Sequence, residues 1–230
     1  MQSHRLADAN GSDPSEVISR YLEAIYYMRA EGEVVTNSRL ADWLGVSRPT
    51  VTAGLRRMVR DGLLRGGAGR EVALAPAGER VAAAIVRRHR IVERWLTDAL
   101  GLDWVVADEE AARLEHAISE VVEKSLYEAL GRPASCPHGN PIPGHSEPVS
   151  GEVRLAGLAG GAATVTRISE VAEREAPPLL HYLRERNLVP GTRLIVLEVD
   201  PVANAVRIEA AGRELSLGLD TAAKVWVLPE

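Results

Sequence analysis

Two hydrophobic periodicities divide this chain, and the division leaves few folds open. From Ser15 to Leu130 apolar residues recur at helical spacing, whereas after Gly151 they fall into short β-branched runs. Between them GRPASCPHGNPIPGHSEPVSG, rich in Pro and Gly, reads as a linker or an ordered loop. In the first part Val17, Ile18, Tyr21, Leu22, Ile25 and Met28 share one helical face. A short helix, SRLADWLG, follows, opened by Thr36 or Asn37 and closed by Gly45. Ser47 caps the next, RPTVTAGLRRMVRDG, in which Pro49 lies early enough to be tolerated. Leu63–Arg65 and Glu71–Leu74 are expected as strands around the turn Gly66-Gly67-Ala68-Gly69, forming a wing. Pro76 starts a long helix reaching about Leu100, and a further helix runs from about Ala107 to Leu130. Beyond Gly151, EVRLAGL, GAATVTRIS, TRLIVLEVD, AVRIEA, RELSL and AKVWVL predict strands, with a helix near Pro177–Arg186. The fold expected is mainly α with a C-terminal small β-barrel.

Composition excludes several classes. No apolar run approaches the ~20 residues of a membrane helix, and the opening MQSHRLADANGSDPSE lacks an apolar signal core and reads as a disordered lead. A single cysteine, Cys136, rules out an intrachain disulfide framework and fits a reducing cytoplasm. The net charge of −5 excludes a uniform basic coat. Locally, however, Arg48, Arg56, Arg57, Arg60, Arg65 and Arg70 face one acid, Asp61, while acids crowd into Asp108–Glu128. Opposite patches fit an anionic polymer and a cation, though two solvated helix faces would look the same.

Helix, tight turn at Gly45 and second helix make a helix-turn-helix pattern. That geometry puts Ser47, Arg48, Pro49, Thr50 and Thr52 toward the major groove of double-stranded DNA. Arg56, Arg57, Arg60, Arg65 and Arg70 suit phosphates, which position without reading sequence. Ala53 is too short to donate to a base edge, so part of any specificity falls to DNA shape. An arginine-bearing surface helix is the bland alternative.

His89 and Glu93, four apart, project from one helical face, and Asp108, Ala112, Glu115 and His116 share another. Packed side by side, these helices bring imidazoles and carboxylates together, and such carboxylates repel unless a cation or protons intervene. Oxygen and nitrogen ligands suit Mn(II), Fe(II), Co(II) or Zn(II), and the lack of a soft ligand favours Mn(II). Against this, a His–Glu pair at that spacing is commonly a surface ion pair, and Asp108 can simply face a helix N-terminus.

YLEAIYYM, GVSRPTVTAGLRRMVRDGLL, RRHRIVERWLTDALGLD, DEEAARLEHAISEVVE and CPHGNPIPG, in order from Glu16 to Gly144, resemble the diphtheria toxin repressor family of metal-dependent regulators. The last segment resembles that family's SH3-like domain more weakly. The resemblance implies a lead (1–13), a winged helix-turn-helix domain (14–75), a helical metal-binding and dimerisation domain (76–144), a linker (145–150) and an SH3-like domain (151–230). It implies a homodimer on a palindromic operator, with divalent metal as corepressor controlling metal-homeostasis genes, repressed or activated. No small organic substrate and no membrane enter this picture.

Carried residue by residue, His89, Glu93 and Asp108 fall on the family's ancillary metal site, which Glu175 completes. Pro178 stands where another ligand can occur. Arg90, Cys136 and Asn140 match positions that hold an anion beside the metal. Glu115 and His116 match the primary site, but Ala112 and Arg20 replace two of its ligands, and Glu23 matches a carboxylate that partly restores it. The resemblance therefore implies one well-made site and one rebuilt site. Two other readings stay open: a winged-helix regulator with a structural metal, and a metallohydrolase with Glu115 as base. His138, His145 and His181 read as surface or packing residues, and Trp43, Trp95 and Trp104 as core.

Overall fold

The computed structural model describes residues 15–66 and 71–230, except the side chains of 173–175. The expected disordered lead at 1–13, most of the wing turn and Arg70 lie outside the described residues. The chain forms two compact units, one of Met1–Tyr26 with Val34–Ala82, the other of Tyr27–Glu33 with Ala83–Glu230.

In the first unit, helices α1 (Glu16–Ala30), α2 (Asn37–Leu44) and α3 (Arg48–Arg60) form as their caps require. Thr36 accepts the Arg39 N–H at 3.2 Å to open α2, and Gly45, at φ +66°, closes it in a conformation that disfavours any side chain. Ser47 accepts the Thr50 N–H at 3.3 Å to open α3, whose proline occupies the first turn. Leu22, Ile25, Leu40, Val51 and Met58 are buried, as the helical spacing requires. The expected wing strands reduce to the bridges Thr36↔Glu71 and Leu64↔Leu74 among the described residues.

Helix α4 (Pro76–Asp98) begins in the first unit and continues into the second, as α1 does. The helix expected from Ala107 to Leu130 is two, α5 (Trp104–Leu114) and α6 (Glu120–Ala129). Ser119 causes the break, since its hydroxyl accepts the Val122 N–H and starts a new helix. Val92 and Leu96 of α4 pack with Ala107 and Ala111 of α5.

The C-terminal part is an antiparallel sheet of β1 (Val153–Arg154), β2 (Gly161–Ile168), β3 (Arg193–Asp200), β4 (Ala205–Ala210), β5 (Arg213–Gly218) and β6 (Val225–Pro229). Its order is β1-β6-β2-β3-β4-β5, so the expected barrel is an open sheet with β1 and β5 at its edges. Two features oppose closure. β1 gives way after Arg154 to a 3-10 turn over Leu155–Gly157 and is too short to seal a seam. Between β2 and β3, α7 (Glu170–Glu175) and α8 (Pro177–Glu185) intervene, and Leu180 and Leu183 of α8 cover the core of Val165, Ile168, Val206 and Val227. A short helix near α9 (Leu219–Ala222) precedes β6.

Gly78 shows how closely α4 is laid down. A Cβ there would sit 2.0 Å from the Leu63 carbonyl oxygen, which accepts the Ala75 N–H at 2.9 Å. Helix propensity alone would make Gly78→Ala stabilising by about 1 kcal/mol, but overlap with backbone wins. The variant is expected to be destabilised by about 2 kcal/mol, seen as a lower denaturant midpoint; a midpoint at or above wild type would refute the packing argument.

Candidate metal centre and nucleic-acid interface

Of the residues expected to face the groove, Ser47, Arg48, Pro49 and Thr50 are exposed at the start of α3 and Thr52 is half-buried. Their hydroxyls are largely occupied. Ser47 Oγ and Thr50 Oγ1 are 2.8 Å apart, and Thr52 donates to the Arg48 carbonyl at 2.9 Å while accepting from Asn37 Nδ2 at 2.7 Å. Arg56 is exposed on the same helix, and Arg57 and Arg60 share Asp61 at 3.7 and 3.5 Å, contacts weak enough to exchange for phosphate. Arg65 spends its Nε–H on the Leu74 carbonyl at 3.1 Å, bracing the wing. The surface thus offers guanidinium charge with few unengaged hydroxyl donors.

In the second unit α4 and α5 converge as the spacing predicts. His89 Nε2 lies 3.2 Å from Asp108 Oδ1, and His89 Nδ1 lies 2.8 Å from Glu115 Oε2. His116 Nε2 is 3.3 Å from Glu115 Oε1. Burial of the His89 ring opposes its protonation, but Asp108 and Glu115 outweigh it and hold the imidazole pKa well above its ordinary value. His89 is thereby the cation that reconciles these carboxylates. Asp108 is no helix cap; Asp103 plays that part, accepting the Val105 N–H at 3.1 Å.

Glu93, one turn on from His89, turns to a different set. Its buried carboxylate, with Cys136 and His138, presents ligand atoms all within 4.8 Å of one another. Glu93 Oε1 and His138 Nδ1 are 2.7 Å apart, yet without the alignment of a hydrogen bond, and the His138 side chain is wholly enclosed. His138, expected as a surface or packing residue, is buried edge-on to Trp104 at 4.5 Å between ring centroids, and it also belongs to this group, which the sequence reading did not assemble. The run Cys136-Pro137-His138 carried the signal, two potential ligands two residues apart. The loop is held tightly, since Cys136 N–H donates to the Asn140 carbonyl at 2.9 Å and Gly139, at φ +88°, passes where a Cβ would lie 2.2 Å from the Thr166 oxygen.

The three residues expected to hold an anion are otherwise engaged. Arg90 donates from Nε to Glu170 at 2.7 Å and from Nη1 to the Pro141 carbonyl. Burial alone would lower its pKa, but Glu170 raises it. Asn140 Nδ2 donates to the Ile168 carbonyl at 3.0 Å, and Cys136 belongs to the Glu93 cluster. Glu23 is half-buried on α1 in the first unit, Arg20 and Ala112 are exposed, and the Glu175 side chain lies outside the described residues. Trp43 and Trp104 are buried, Trp95 packs at the edge of the α4–α5 core, and His181 is half-exposed.

These residues fit a divalent cation. Buried carboxylates demand positive charge, and two clusters of oxygen, nitrogen and sulfur donors lie on packed helices and a tightly held loop rather than on solvated side chains. A DNA-reading unit joined through continuous helices to such clusters defines a ligand-controlled transcription regulator. The chain belongs to the iron-dependent repressor family. Residues 13–67 match that family's N-terminal DNA-binding domain, 75–144 its metal-binding and dimerisation domain, and 156–229 the FeoA domain. It is 34% identical over 227 residues to the iron-dependent repressor IdeR of Mycobacterium leprae, covering 94% of this chain and 98% of that one. It is also 34% identical over 223 residues to the diphtheria toxin repressor of Corynebacterium glutamicum, covering 86% and 97%. Among solved structures, a manganese-dependent transcriptional repressor in complex with manganese superposes with a TM-score of 0.81 at 32% identity, covering 92% of this chain and 99% of that one.

Arg56→Ala should weaken DNA binding about equally across sequences and reduce the slope of log affinity against log salt by about 1. An unchanged slope would remove Arg56 from the phosphate contacts.

Proposed function

We propose that this chain is a metal-dependent DNA-binding transcriptional regulator, a homodimer that binds a palindromic operator with Mn(II), and next Fe(II), as corepressor of metal-homeostasis genes. It acts in the cytoplasm and has no catalytic role. The observation that carries this reading is His89 held between Asp108 and Glu115, in a chain whose first unit is a helix-turn-helix. On this reading 14–75 binds DNA, 76–144 dimerises and supplies most ligands, 145–150 links, and 151–230, the SH3-like part, adds Glu175. The ligands are His89, Glu93, Asp108, Glu115, His116, Glu23 and Glu175, to which we add Cys136 and His138.

A bound divalent ion supplies concentrated positive charge where His89 otherwise provides a single proton. His89 must give up that proton to present a lone pair, so proton and metal are alternatives at one place. Asp108 and Glu115, on one helix and at its end, then hold α4 and α5 in a single arrangement. The first cluster has only oxygen and nitrogen donors, which supports Mn(II) there. Cys136 brings sulfur to the other and suits Fe(II) or a softer ion better. The manganese-bound neighbour and the iron-dependent relatives support the same pair of metals.

A second reading has one observation in its favour. Protonated His89 already reconciles Asp108 and Glu115, so the metal-free chain can be closed and DNA-competent, with metal merely structural. Anaerobic titration of Mn(II) and Fe(II), with a duplex selected from a random pool and read by anisotropy, separates the two. The corepressor reading expects DNA affinity to rise by about 10- to 100-fold with metal and to fall back with chelator. His89→Ala should abolish most of that rise. Equal binding with and without metal in the wild type would establish the second reading instead.

A further inference from the structure

Several buried polar groups outside the two clusters, Glu31, Arg90, Asn140 and Arg167 among them, meet at one short segment, residues 167–170. Arg167 donates from Nη1 to Glu31 at 2.7 Å and from Nε to Glu152 at 2.7 Å, and its guanidinium lies 4.1 Å from the Trp226 ring centroid. Trp226 Nε1 donates to the other Glu31 oxygen at 3.0 Å, and Arg154 donates to the Glu31 carbonyl at 2.7 Å. Ile168 binds the ligand-bearing loop in both directions: its N–H donates to the His138 carbonyl at 2.8 Å, and its carbonyl accepts from Asn140. Glu170 pairs with Arg90 of α4.

A β-bulge makes this convergence possible. The register of β2 against β6 shifts between Val165 and Arg167, so Ile168 returns to the core face with Ala163 and Val165 while Arg167 is turned the other way. Without the extra residue, strict alternation would place Arg167 in the apolar core.

We infer that residues 167–170 are the joint through which metal occupancy reaches the DNA-binding unit, with Arg167 as its positioning residue. The helices gripped, α1 through Glu31 just beyond its end and α4 through Arg90, are the two whose chains run from one unit into the other. The loop gripped by Ile168 carries Cys136 and His138. A cation that fixes this loop against Glu93 of α4 thereby also fixes Ile168, and with it the hold of Arg167 on the end of α1. Stability alone explains such a cluster poorly, because buried ion pairs are commonly no more stabilising than apolar replacements of the same volume. The inference rests on the metal-dependent reading above, since coupling can exist only if metal and DNA favour the same arrangement.

The test uses the full chain with Arg167→Gln and, separately, Glu31→Gln, which keeps the shape of the side chain facing Trp226. Mn(II) affinity is measured directly by competition with a fluorescent chelator, and DNA affinity with and without Mn(II). In both variants Mn(II) affinity should stay within about 3-fold of wild type while the metal-induced gain in DNA affinity falls at least about 10-fold. Should Arg167→Gln fail to fold, Glu31→Gln alone decides. A wild type without any metal response overturns the regulator reading, and the joint with it. A responsive wild type whose gain survives in the folded variants overturns the joint alone, as does a loss of metal affinity that matches the loss of gain.

Discussion

Buried carboxylates dominate the second unit, and its architecture follows from how each is neutralised. Glu31, Glu93, Glu115 and Glu170 all lie below a tenth of their full exposure. An isolated carboxylate so enclosed would cost several kcal/mol in lost hydration. Each has its own neighbour: His89 for Glu115, Arg90 for Glu170, Arg167 and the Trp226 indole for Glu31, and His138, whose Nδ1 lies 2.7 Å from Oε1, for Glu93. The first is an arrangement a metal can take over, because an imidazole surrenders a proton far more readily than a guanidinium does. The guanidinium groups keep their charge at any pH the protein meets, whereas burial pushes the Glu170 carboxyl up from its ordinary value.

This division between replaceable and permanent charge gives the unit two kinds of behaviour. Around His89 the positive charge is negotiable, since proton and metal are alternatives on that ring. Around Arg90 and Arg167 the charge is constant, and hydrogen bonds tie the loop to Ile168, Glu170 of α7 to α4, and Arg167 to Glu31 just beyond α1. The proposed coupling needs no long chain of intermediaries, since the residues that make these contacts are nearly consecutive along β2 and α7.

Much of the fold was legible because short-range chemistry decides it. Thr36, Gly45, Ser47 and Pro49 set the ends of α2 and α3 through bonds to backbone groups only a few residues away. His89 and Glu115 could be matched because helical spacing fixes which side chains share a face before any partner is known. The break at Ser119 was not legible, since a serine within an amphipathic pattern can either cap a helix or sit on its exposed side. The barrel was not legible either, because the same short strands make an open sheet or a closed one, and the brevity of β1 and the cover by α8 decide between them.

By itself, then, the sequence determined the helix-turn-helix, the pairing of α4 with α5 and the ligand types they carry, because periodicity and capping act within a few turns of chain. Only the tertiary structure decided that His89 lies against Asp108 and Glu115, that Glu93 lies with Cys136 and His138, and that Arg90 pairs with Glu170. The reason is distance along the chain. Arg90 and Glu170 are 80 residues apart and Arg167 and Glu31 are 136 apart. Spacing rules hold along one element, whereas these contacts depend on the register of β2, the position of one bulge and the packing of a loop whose geometry no local pattern encodes.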